Sequence, residues 1–319
     1  MARVAERIIS VGGGKGGVGK SLVSSNLAIA MAQAGKRVVL VDGDLGAANL
    51  HTLFGIERPG PTMQTFIDHG TDSLEAARVE TQVPNLTLVR GASAVVGSAN
   101  ISHSQKQRLL RHVVGLDAEV VVVDVGAGIA FNQVDLFDIA DLRLLVMTPQ
   151  LTSIQNAYGF AKASLYRRLD RVLKAHGVQG ALDESDPQHE MMSLRAKLRD
   201  VLSASPALEA TVRDELARFN LRLFGNQVHD PREAGVFRAV GKMMTDFLSL
   251  PAPLLGFARA SRLLHDSATH RRPYLLISRH EDTAQALRAA AQALLDEPLN
   301  RTPVTGATDP AGTSETAAA

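Results

Sequence analysis

The run VGGGKGGVGKS, residues 11 to 21, constrains this chain more than any other stretch. It follows the short β-branched segment RIISV and opens a helix-like segment, LVSSNLAIAMAQAG. Gly14 to Ser21 satisfies G-x-x-x-x-G-K-S in the strand, loop and helix context that pattern requires. Glycines let successive backbone N–H groups turn inward around phosphate oxygens, and the N-terminus of the following helix adds positive potential. The candidate phosphate-binding residues are Gly14, Lys15, Gly16, Gly17, Val18, Gly19, Lys20 and Ser21. Lys20 is expected to neutralise β and γ phosphate oxygens, and Ser21 to offer a hydroxyl to Mg²⁺. An overlapping pattern competes: Gly12, Gly14 and Gly17 also fit G-x-G-x-x-G, with Asp42 at the distance expected of a ribose-binding acid. That dinucleotide reading gives no role to Lys20, Ser21 or Asp124.

Short apolar runs alternate with helix-like stretches: RIISV (7 to 11), KRVVLVD (36 to 42), LTLVR (86 to 90), EVVVVD (119 to 124) and RLLVMT (143 to 148). Such runs read as strands buried on both faces, and the alternation predicts an α/β fold, a doubly wound, mainly parallel sheet. Ligands of such sheets sit at the carboxyl ends of the strands, where the glycine loop, Asp42 and Asp124 all fall. LRLFGNQV (221 to 228) and LLGF (254 to 257) are expected to extend the sheet.

Between about 170 and 220 the sequence becomes charged and helix-periodic. Met191, Leu194, Leu198 and Val201 share one spacing, and Leu208, Val212, Leu216 and Phe219 another, which predicts a helical insertion. A helix from about Asp282 to Leu295 is expected to close a domain spanning 1–297. The Thr, Pro, Gly and Ala-rich tail, 298–319, buries too little surface to order itself.

With 45% hydrophobic residues in 319, a full core is available, and a formal charge of +1 supplies no global field toward nucleic acid or anionic lipid. There is no cysteine, which excludes disulfides and thiolate metal sites within these residues. The start lacks a signal-peptide pattern and no apolar run reaches the roughly 18 residues of a membrane span, so a cytoplasmic protein is expected. Neither H-E-x-x-H nor G-x-S-x-G occurs, which leaves zinc proteases and serine hydrolases unsupported.

Lys15 lies between Gly14 and Gly16, so its side chain must project out of the loop, toward solvent or across an interface. The second strand ends VDGDLGAANL, where Asp42 and Asp44 flank a glycine; Asp44 is also an ordinary turn residue. EVVVVDVGAG ends in Asp124, an acid costly to desolvate without a cation or donors, and Gly126 and Gly128 allow movement beside it. Together, GKGGVGKS, the double-aspartate segment and the acidic strand end resemble the deviant Walker A ATPases of the MinD/ParA family. The resemblance implies a slow, partner-stimulated ATPase using ATP/ADP and Mg²⁺, and a homodimer when ATP-bound. It assigns Lys15 to the partner subunit's nucleotide phosphates, Asp44 to the attacking water, and Asp42 and Asp124 with Ser21 to the Mg²⁺ environment. Asn226, near the end of the FGNQV strand, matches the position where members of the family often hold adenine, though asparagine at a strand end is equally a turn former.

DLGAANL, DVGAGI, TPQLTSIQNAYGFAK and RRPYLLI look most like the MinD-like flagellar-number regulators, the FlhG/FleN branch. His51 departs from the acid relatives often carry, the stretch near 170–220 is atypical, and DTAQALRAAAQALLDE is too alanine-rich and acidic for a membrane-surface helix. The implied role is spatial organisation of a cellular structure, with recruitment to a pole, membrane or nucleoid by an unidentified protein partner. Alternatives are a partitioning or division-site ATPase and an ATP-shaped binding module with negligible turnover. The basic cluster Arg259, Arg262, His265, His270, Arg271 and Arg272 is where nonspecific DNA binding would be sought, although it lacks interleaved aromatics.

Overall fold

The computed structural model describes residues 3–46, 48–57, 60–91, 101–183, 192–278 and 281–299. Eight strands form one sheet: β1 (Arg7–Gly12), β2 (Val38–Gly43), β3 (Arg78–Glu80), β4 (Leu86–Val89), β5 (Val120–Val125), β6 (Leu142–Met147), β7 (Leu221–Val228) and β8 (Leu254–Arg259). Their spatial order is β3-β4-β2-β5-β1-β6-β7-β8, with every neighbouring pair parallel except β3 and β4. The doubly wound, mainly parallel sheet expected from the apolar runs is present. The antiparallel edge strand β3 was not legible, because RVE is three residues long and mostly half-exposed.

Successive residues of each central strand point to opposite faces, so each strand feeds two cores. Ile8, Val39, Val41, Val121 and Val123 enter one; Ile9, Val38, Leu40, Val120 and Val122 enter the other. The first is covered by α2 (His103–Val114), α3 (Phe131–Asp138), α4 (Leu151–Ala175), α5 (Leu194–Ser203), α6 (Pro206–Phe219) and α7 (Ala234–Leu248). The second is covered by α1 (Lys20–Gln33) and α9 (Asp282–Asp296), with Leu264 of α8 (Arg262–Thr269) at its margin. Helices on both faces are why the strands read as unbroken apolar runs rather than alternating ones.

Leu194, Leu198, Leu208, Val212 and Phe219, read as helix faces, are buried in α5 and α6, while Met191 lies outside the described residues. Residue 170 falls within α4, which continues unbroken to Ala175. Ala284, Leu287, Ala290, Ala291 and Leu294 bury one face of α9 against the sheet, and no described helix is long and apolar enough to cross a membrane. From residue 300 the tail lies outside the described residues.

β5 lies between β1 and β2, and this placement assembles the site. In register, Asp124 stands beside Val11 on one side and Asp42 on the other. Three segments far apart in sequence therefore end together at one sheet edge.

Candidate nucleotide-binding site

The glycine loop runs from the end of β1 to Lys20, the first residue of α1. Gly17 and Gly19 have φ of 79° and 89°, in the left-handed region that favours glycine. Gly19 is doubly constrained, because a Cβ there would lie 2.1 Å from Asn226 Nδ2.

The loop's two lysines occupy opposite environments. Lys20 is 8% exposed, and its Nζ donates to the Lys15 carbonyl oxygen at 3.1 Å. Burial lowers its pKa, while Asp124 and Asp44 act to raise it. Lys15 is exposed, and its Nζ reaches Thr152 Oγ1 at 3.4 Å, beside the start of α4.

Asp42, at 1% exposure, accepts from Leu50 N at 3.0 Å and from Asp44 N at 3.4 Å. Asp124, at 3% exposure, is hydrogen-bonded by the Ser21 and Ser24 side chains, yet its Oδ1 has no partner. Burial is the largest influence on both carboxyls, pushing Asp42 up to about 7, with Asp124 adding to the rise, and Asp124 up to about 6. Asp44 is half-buried and its Oδ1 accepts from Gly46 N at 3.0 Å. A Cβ on Gly126 would lie 3.1 Å from Asp44 Cγ, so the glycine segment after β5 passes close against this carboxyl.

The two raised carboxyls have a thermodynamic consequence. Folded, they retain protons at pH values where unfolded aspartates, near 3.8, have lost them, so protonation favours the fold. That contribution is complete below the unfolded value and disappears as pH rises through about 6 and then about 7. The melting temperature of metal-free protein is expected to fall across this window, and Asp42→Asn to flatten the fall. Identical pH profiles for the two proteins, measured by calorimetry, would refute the link to this pair.

On the far side of the loop, Asn226 at the end of β7 is 1% exposed. Its Nδ2 donates to the Val18 carbonyl at 2.8 Å, and its Oδ1 has no partner. It lines a cleft of about 310 Å³ with Gly19, Leu22, Gln227, Ser261 and Leu264 among the walls. This volume lies at the lower end of small-ligand sites, about 300 to 1,000 Å³.

The fold thus gathers Gly14 to Ser21, Asp42, Asp44, Asp124 and Asn226 at one edge. The residues fit a magnesium nucleotide: an unpartnered buried carboxylate oxygen beside a serine hydroxyl suits a hard cation, and the glycine cradle with Lys20 suits phosphate. Two contributors escaped the sequence reading. Ser24 stands one helical turn beyond Ser21, a spacing that could have revealed it. Gln227, whose Nε2 donates to the Gly17 carbonyl at 3.2 Å, left no such signal.

Comparison with known proteins agrees with this geometry. Residues 4–164, half of the chain, match the family model described as ParA, NUBPL iron-transfer P-loop NTPase. The antiactivator FleN of Pseudomonas aeruginosa is 35% identical over 158 residues, 49% of this chain and 55% of that protein. The septum site-determining protein MinD of Helicobacter pylori is 30% identical over 151 residues, 47% of this chain and 56% of that protein. The chain thus spans just over half the length of these relatives, whereas it covers 76% of a putative MinD of Guillardia theta, at 30% identity over 217 residues. In three dimensions it resembles the Pyrococcus furiosus cell division ATPase MinD, with a TM-score of 0.61 at 20% identity, covering 91% of this chain and 98% of that one. The Pyrococcus horikoshii MinD complexed with Mg-ADP gives the same score and identity, covering 91% and 96%. A phosphate-type glycine loop, acidic strand ends at the same sheet edge, and a sequence match across both place this chain in the ParA/MinD family of P-loop NTPases.

Proposed function

We propose that the chain is an ATP-binding, slowly ATP-hydrolysing switch that dimerises through its nucleotide face. The observation that carries this reading is the division between two lysines of one loop: Lys20 is buried near Asp124, while Lys15 is exposed at the mouth. A buried ammonium suits phosphates bound by its own chain. An exposed one suits phosphates presented by a second copy, where facing anions need cations from both sides.

Within that reading, backbone N–H groups of Gly14 to Gly19 orient the phosphates and Lys20 neutralises their charge. Ser21, Asp124 and Asp42 hold Mg²⁺, partly through water, which when bound supplies charge neutralisation at the phosphate oxygens. Asp44, half-buried against Gly126, orients the attacking water. In phosphoryl transfer, positioning matters more than base strength, so an unexceptional carboxylate is adequate. The free Oδ1 of Asn226 accepts from the adenine amino group, since its amide nitrogen is already committed to Val18.

The proposed domain is 1–297, with 298–319 as a tail and the helices between about 170 and 220 as a partner-specific surface. By analogy with FleN and MinD relatives, the dimer organises a cellular structure, with flagellar number or placement as the first role to test. Cytoplasmic residence, with recruitment to a pole, membrane or nucleoid by an unidentified partner, belongs to the same proposal. Iron transfer, named in the family description, gains no support because cluster carriers use thiolates and these 319 residues contain none. Nonspecific DNA binding gains none either: Arg259 pairs with Asp282 at 3.6 Å and Arg271 with Glu57 at 2.5 Å. The side chain of His265 lies outside the described residues.

The test is solution mass with Mg²⁺ and ATP against ADP. Wild-type chain is expected to double its mass only with ATP, and Lys15→Ala to remain at the smaller mass in both. Equal masses in every state would remove the dimer switch and leave a nucleotide-shaped binding module.

A further inference from the structure

Gln227 stands in an improbable conformation for its place. It is the penultimate residue of β7, yet its φ is 56°, a left-handed value uncommon outside glycine, asparagine and aspartate. The ladder to β8 is irregular at the same point: Gly225 pairs with Phe257 and Val228 with Arg259, so three steps on β7 face two on β8. That is a bulge, a device that re-aims side chains beside functional sites. In a regular strand, Asn226 and Gln227 would project to opposite faces. Here both reach the same loop, Asn226 Nδ2 to the Val18 carbonyl at 2.8 Å and Gln227 Nε2 to the Gly17 carbonyl at 3.2 Å.

We infer that Gln227 is a positioning residue for phosphate binding, the second arm of a two-amide clasp that sets the peptide planes of the glycine loop. The inference rests on the nucleotide reading of that loop. In a planar trans peptide, the carbonyl and the N–H of the next residue point to opposite sides. Holding the Gly17 and Val18 carbonyls toward β7 therefore turns the N–H groups of Val18 and Gly19 away from it, toward the interior of the loop. A loop whose donors already converge loses less conformational freedom when an anion arrives. The backbone cost at Gln227 is borne by the folded chain in exchange for that pre-organisation.

Loop glycines sample many conformations in isolation, and Gly17 has nothing within 4 Å of a hypothetical Cβ to restrain it sterically. Hydrogen bonds from outside the loop are therefore what define its peptide orientations. Asn226 is also the candidate adenine residue, so its substitution would mix two effects. Gln227 separates them.

The experiment uses the full chain, with calorimetric titration of ADP and of AMP and a melting curve without nucleotide, for wild type, Gln227→Gly and Gln227→Glu. Glycine removes the amide and relieves the positive φ; glutamate keeps the stem that lines the cleft but puts an acceptor against the Gly17 carbonyl. Both are expected to weaken ADP about three- to tenfold, the worth of one hydrogen bond, and AMP less, because the loop donors act on the phosphate that AMP lacks. The nucleotide-free melting temperature of Gln227→Gly is expected to match or exceed that of wild type. ADP affinities within twofold of wild type in both variants would overturn the clasp. So would a Gln227→Gly chain that melts lower and weakens ADP and AMP in equal proportion. Wild-type protein that binds no ADP would overturn the nucleotide reading itself, and this inference with it.

Discussion

Lys20→Ala is expected to weaken ATP and ADP binding by about a hundredfold or more, the cost of removing one partner of a desolvated, charge-assisted contact. The magnitude follows from burial: at 8% exposure little water remains to replace the ammonium, and the loop's backbone donors alone face several phosphate charges. The nucleotide-free fold is expected to survive with a melting temperature within a few degrees of wild type. Lys20 is itself held at a desolvation cost, and Asp124, already raised to about 6, can take up a proton once its cation is gone. Titration with a fluorescent ATP analogue and a melting curve check both halves. Unchanged affinity would remove the phosphate-binding assignment of Gly14 to Ser21.

The second large effect is on turnover. Asp44→Ala is expected to reduce ATP hydrolysis about a hundredfold, the typical cost of a misplaced reacting group, while leaving ATP affinity within a fewfold of wild type. Asp44 lies outside the glycine loop: its Oδ1 accepts from Gly46 N at 3.0 Å, its carboxyl sits close against Gly126, and toward Lys20 it acts through its charge. Loss of its carboxylate therefore spares phosphate binding and removes the group held beside the segment that follows Asp124. Because release of the dimer is proposed to need hydrolysis, the variant should accumulate as a long-lived ATP dimer. Phosphate release assays and mass measurement over time distinguish the outcomes: wild-type turnover and dimer lifetime in Asp44→Ala would assign the residue to the turn alone.

Legibility varied with how local the determining physics is. The glycine loop could be read because its chemistry needs residue types in one continuous stretch, from Gly14 to Ser21. The central strands could be read because helices on both faces demand apolar residues at every position, as in VVVVDV. Three-residue β3 has no such constraint, being an edge with one partner. Arg143 shows what a local pattern leaves out: a charged residue within β6, it is fully buried, donating to the Phe219 carbonyl at 2.7 Å and paired with Asp138 at 3.3 Å. The Phe219 carbonyl lies more than seventy residues away, at the end of α6.

By itself, the sequence determined the alternation of strands and helices, the phosphate-type loop with its two lysines, and the acids at two strand ends. These depend on periodicity and on short spacings, which any local segment carries in full. Only the tertiary structure decided that β5 inserts between β1 and β2, setting Asp42 beside Asp124 in register and raising both carboxyls through shared burial. Only it decided that β7 bulges so that Asn226 and Gln227 both grip the loop more than two hundred residues before them. Strand order and backbone irregularity arise from packing of the whole chain, where a few buried contacts select one arrangement among several that the same local pattern allows.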